Sequence, residues 1–62
     1  MVRIKNKREV SDKILERFTT LENFSEQTGI NYQLVVDGLV STGFADVEFV
    51  TALEENGIHV ET

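Results

Sequence analysis

Few side chains in this 62-residue chain could carry out covalent chemistry. It has one histidine, His59, and no cysteine. His59 sits in an alternating Ile58-His59-Val60 stretch with no serine or cysteine nucleophile in a recognisable arrangement. It therefore reads as a strand residue rather than a general base. One histidine and scattered acids do not make a zinc site. Gly29, Gly38, Gly43 and Gly57 fit turns, caps or packing, and no glycine-rich phosphate loop is present. The expectation is a protein without enzymatic activity, cofactor or metal.

Binding chemistry is better represented, and it is divided by charge. All six Lys and Arg residues fall within the first 17 positions, with three acids, so that segment carries 6 − 3 = +3. The other 45 residues hold eight acids and no Lys or Arg, giving −8 and a net charge of −5. Arg3, Lys5, Lys7 and Arg8 are the candidate phosphate ligands. They could instead solvate an edge strand and blunt it against aggregation, or pair with the acidic C-terminal portion. Glu22 and Glu26 stand at i and i+4, on one helical face. With Asp37 and the acids that follow they could dock a basic partner, or act as a solvated surface.

The elements that must position these groups follow from apolar spacing. Val2-Arg3-Ile4-Lys5 alternates as a short half-buried strand does. Val10, Ile14, Leu15 and Phe18 share one face of a first helix, expected over about residues 9–18 with its start near Ser11. Thr19-Thr20-Leu21-Glu22 fits a capping box, Thr19 as cap, for a short second helix burying Leu21 and Phe24. Gly29 closes that helix. Asn31 caps a third, with Leu34, Val35, Leu39 and Val40 facing inward. Gly38 inside it implies close packing against another helix, since glycine there costs about 1 kcal/mol relative to alanine. Asp46 caps a fourth helix burying Val47, Val50 and Leu53, and Asn56-Gly57 ends it. Ile58-His59-Val60 then alternates as a second terminal strand, expected to pair with the first within one chain or across a dimer.

Residues Leu21 to Ile30 followed by Asn31-Tyr32-Gln33-Leu34-Val35 resemble the helix 2, glycine turn and recognition helix of the Cro/repressor-type (Xre-like) helix-turn-helix family of small phage and bacterial regulators. The resemblance runs from Phe18 to Val60. It implies that Asn31, Tyr32 and Gln33, with Val36 and Asp37, are offered to a partner at the start of the third helix. Asn and Gln can pair bidentately with adenine. The chain departs from the family where Lys or Arg usually contact phosphate: Asp37, Ser41, Thr42 and Asp46 stand there instead.

The expected fold is mainly α: a compact four-helix helix-turn-helix domain with short N- and C-terminal β-strands, one domain over residues 1–62. The expected role is regulation through binding. An acidic surface formed by Glu22, Glu26, Asn31, Tyr32, Gln33 and Asp37 would take a protein partner, itself basic. The alternative is a Cro-like DNA-binding repressor, dimeric, with Arg3, Lys5, Lys7 and Arg8 on phosphates. No apolar run approaches the roughly 20 residues of a membrane helix, and a cytoplasmic location is expected.

Overall fold

The computed structural model describes every residue from Met1 to Thr62. In chain order the elements are β1 (Val2–Arg3), α1 (Lys7–Phe18), α2 (Leu21–Thr28), α3 (Tyr32–Leu39), β2 (Phe44–Ala45) and α4 (Val47–Glu55). The fold is mainly helical, as expected, with four helices and a small sheet.

Local capping fixes most of the boundaries. Asn31 Oδ1 accepts the Gln33 amide at 2.8 Å, and Asp46 Oδ1 accepts the Glu48 amide at 3.0 Å. Both were legible in advance, because a short polar side chain ahead of an apolar run satisfies an amide the helix leaves free. The second cap lies one residue later than expected. Thr20, not Thr19, accepts the Asn23 amide, at 3.0 Å. Thr19 is instead the joint between α1 and α2, with φ of 76° and ψ of −44°. α1 covers Lys7–Phe18, two residues longer at its start than the expected span of about 9–18 and ahead of Ser11, and Asn6 precedes it without a side-chain cap bond. Asn6 is turned to another use: its amide donates to the Glu9 carboxylate and the His59 carbonyl, each at 3.0 Å, and its Oδ1 accepts the Glu61 amide at 2.8 Å.

The strand pairing differs from expectation. β1 forms, but its antiparallel partner is β2, with Val2 opposite Ala45 and Arg3 opposite Phe44. The Ile4 amide continues the register to the Gly43 carbonyl at 2.8 Å. Residues 58–60 form no strand, and the C-terminal segment is held by single bonds, one from the Lys5 amide to the Glu61 carbonyl at 2.8 Å. The turn after α3 explains why β2 wins. Gly43, at φ of +85°, donates its amide to the Asp37 carbonyl at 2.9 Å and turns the chain so that its own carbonyl meets Ile4.

The core gathers residues from every element. Phe24 is its centre, with ring edges to Phe18 at 5.0 Å and to Phe49 at 5.8 Å between centroids, an edge-to-face arrangement favoured by the ring quadrupoles. Val10 and Ile14 of α1, Val35 and Leu39 of α3, and Leu53 of α4 close around it. Ile58 and Val60 are buried as well, so the C-terminal segment seals the core although it is not a strand. The expected inward faces need four corrections. Leu15, Val40 and Val47 are exposed, and α4 buries Phe49, Ala52 and Leu53 while Val50 is only partly covered. Gly38 is buried against Phe49 of α4, the close helix contact expected of it.

Candidate binding surface

No pocket opens on the molecule, and no group of three His, Cys, Asp or Glu side chains is gathered to hold a metal. The candidate sites are therefore surfaces, built from what the helices and the sheet leave exposed.

The α2–turn–α3 unit presents the first. Glu22 and Glu26 are exposed on α2, one helical turn apart, and Glu22 lies in the first turn, where a carboxylate is favoured by the helix dipole. Three residues link the helices, with Gly29 in the left-handed conformation at φ of 80°. This geometry brings Asn31 and Tyr32 to the exposed start of α3, and Tyr32 is 44% exposed. Gln33 Nε2 donates to Asp37 Oδ1 at 3.0 Å, so these two act as one polar pair on α3. No Lys or Arg occurs in α2, α3 or the turn between them. Between them α2 and α3 expose carboxylates, a phenol and amides, groups suited to ammonium or guanidinium on a partner, and of these only Gln33 and Asp37 are in direct side-chain contact.

Two of these side chains are already engaged. Asn31 Oδ1 is used as the cap, and Gln33 Nε2 is held by Asp37. Bidentate adenine pairing uses one acceptor site of the amide oxygen and one N–H of the amide nitrogen. Asn31 Oδ1 keeps a second lone pair and Gln33 Nε2 a second N–H, so these bonds restrict how the amides can turn toward a base without using up their pairing groups.

The basic residues are placed elsewhere. Arg3 lies on β1 and Lys5 just beyond it, both exposed, while Arg8 is exposed on α1. Lys7 is half-buried, its stem lying along Gly43, where a β-carbon would meet its Nζ at 3.2 Å. Arg17 is taken up by the C-terminal end of α4: its guanidinium donates to the Asn56 carbonyl and packs over Gly57. Lys5 reaches the C-terminal segment through its backbone amide.

One residue outside the expected sites stands out. Phe44, on β2, is 45% exposed and lies opposite Arg3 in the sheet. Its signal in the sequence is an aromatic between Gly43 and Ala45, in a linker too short to alternate visibly.

Comparison of the chain with known protein families, curated proteins and solved structures finds no match. No helix is long and apolar enough to cross a membrane.

Proposed function

We propose that this chain is a small non-enzymatic regulatory protein, of phage or mobile-element type, whose acidic helix-turn-helix surface binds a protein partner carrying a basic patch. The observation that supports this reading most directly is the exposed surface of α2 and α3. It offers Glu22, Glu26, Tyr32 and the Gln33–Asp37 pair, and no cation. Binding to a phosphate backbone depends on Lys and Arg that displace condensed counterions, and this face has none to contribute. A tyrosine among carboxylates suits a protein interface, where aromatic anchors dominate the binding energy.

The rival reading is a Cro-like, dimeric DNA-binding repressor with Arg3, Lys5, Lys7 and Arg8 on phosphates. Tyr32 and Gln33 at the exposed start of α3 favour it, being where a recognition helix meets bases. The absence of any Lys or Arg from α2, α3 and the turn between them counts against it.

A titration separates the two. The chain is titrated with a lysine-rich helical peptide and, separately, with mixed-sequence duplex DNA, each at low and moderate salt. Peptide binding that weakens when Glu22 and Glu26 become glutamine supports the protein-partner reading. Tight duplex binding with a steep salt slope, abolished by neutralising Lys5, Lys7 and Arg8, would overturn it.

A further inference from the structure

The β1–β2 sheet has an inner and an outer face. Val2 and Ala45 are paired and turned toward the core, Ala45 being fully buried, and Ile4 is buried too. Strand alternation therefore turns Arg3 and Phe44, the other register pair, outward together. Lys5 is the next exposed residue of the alternating run, and Lys7 lies over Gly43 beside Phe44. Two cations, Arg3 and Lys5, thus share the outward side of the ladder with Phe44, and a third, Lys7, lies over the neighbouring Gly43.

The acids nearest in sequence or contact include Asp46 and Glu61. Asp46 Oδ1 caps α4 through the Glu48 amide. Glu61 meets Lys5 through its carbonyl, which brings its carboxylate close enough to compete at this face. The molecule is at least 19 Å across in each direction. Acids on the far side are therefore screened, since the Debye length is about 8 Å at physiological ionic strength.

From this arrangement we propose that the outer face of the sheet binds single-stranded nucleic acid, stacking a base on Phe44 and holding the neighbouring phosphates with Arg3, Lys5 and Lys7. Each nucleotide carries one flat base and one anion, so any short run supplies both partners of this face. A peptide supplies them only where its sequence alternates acids with flat side chains. A duplex shows base edges rather than base faces and cannot stack on a ring. Addition of a peptide strand to the β2 edge is also disfavoured, because the Phe44 amide is already bonded to Thr42 Oγ1 at 3.2 Å. This face is separate from the acidic α2–α3 surface, and the inference stands or falls independently of the partner proposed there.

The test is fluorescence anisotropy with labelled oligothymidylate of about twelve nucleotides, within the range of short single-strand sites. The same-length duplex and an acidic peptide of equal charge serve as comparisons. The single strand is expected to bind with a salt slope of about −2, for three phosphates neutralised. Phe44→Ala should weaken binding about tenfold, the scale of one lost base stack. The pair Arg3→Gln and Lys5→Gln should flatten the slope to about −0.7, and Glu61→Gln should tighten binding. Circular dichroism of each variant establishes that it is folded, with Phe44→Leu as the fallback for Phe44→Ala. Unchanged affinity of a folded Phe44 variant would overturn the proposal. So would absence of binding at low salt, or equal or tighter binding of the duplex or the acidic peptide.

Discussion

Phe49 lies so close to Gly38 that a β-carbon at position 38 would stand 2.9 Å from its Cε2 and 3.1 Å from its Cδ2. The ring belongs to a fully buried side chain whose other contacts include Phe24, so it has little room to withdraw. The close approach of α3 and α4 therefore depends on glycine at this position.

Gly38→Ala is expected to destabilise the fold by about 1–2 kcal/mol. Overpacking a core costs about 1–3 kcal/mol, and the better helix propensity of alanine returns up to about 1 kcal/mol of it. Urea denaturation gives the balance. A variant as stable as the parent would show that Phe49 can move aside.

Thr19 points the other way. It is the one non-glycine residue with positive φ, and its ψ of −44° lies close to the strained γ-turn region. Its side chain makes no cap bond, since that role belongs to Thr20. Thr19→Gly is expected to stabilise the domain by about 1 kcal/mol, by relief of backbone strain. In a domain of this size that corresponds to a melting temperature higher by about 4–8 °C. A lower melting temperature would mean the added freedom of the unfolded chain outweighs the strain.

Asn6 joins three parts of the chain: the first turn of α1 through Glu9, and the C-terminal segment through the His59 carbonyl and the Glu61 amide. Asn6→Ala removes all three bonds and is expected to cost about 2–3 kcal/mol, on the scale of about 1 kcal/mol net per bond. Asn6→Asp keeps the acceptor for Glu61 and should lose less. Amide exchange at Glu61 reads the local effect, with faster exchange in Asn6→Ala than in Asn6→Asp. Equal exchange in the two variants would show that the Glu61 bond contributes nothing.

For the acidic surface, Glu22→Gln with Glu26→Gln is expected to weaken binding of a lysine-rich peptide several-fold while leaving the melting temperature nearly unchanged, because both side chains are exposed. Asp37→Asn should act similarly and also test the pair with Gln33. Calorimetric titration checks this. Affinity that ignores all three changes would remove α2 and α3 as the binding face.

What could be read from the sequence was whatever local chemistry decides. Asn31, Asp46 and Gly29 cap or close helices within two to four residues of themselves, so their roles follow from neighbours in the chain. Gly38 signalled a close contact, although its partner could not be named. α4 was harder. Val47, Phe49, Val50, Ala52 and Leu53 make much of its circumference apolar, and two faces fit the helical period equally. Only the position of Gly38 selects the face bearing Phe49. The pairing of β1 with β2 was hidden for a related reason: two-residue strands carry too little pattern to reveal a partner some forty residues away. Of the candidate site residues, the polar ones at the α2–α3 turn were legible from the glycine turn between two amphipathic runs. Phe44 was not, because its exposure depends on that distant pairing.

The same pairing has a kinetic meaning. Joining Val2 to Ala45 closes a loop containing most of the chain, at an entropic cost of roughly 3 kcal/mol or more. The short helices and their caps can form locally on the microsecond scale, well before such a closure returns any contact energy. β1 is therefore expected to dock last and to leave first, an order that amide exchange at Ile4, bonded to the Gly43 carbonyl, would read. Its departure would uncover Ile4 and free the cationic stretch to sample the solvent as an arm, while the rest of the molecule keeps its helices.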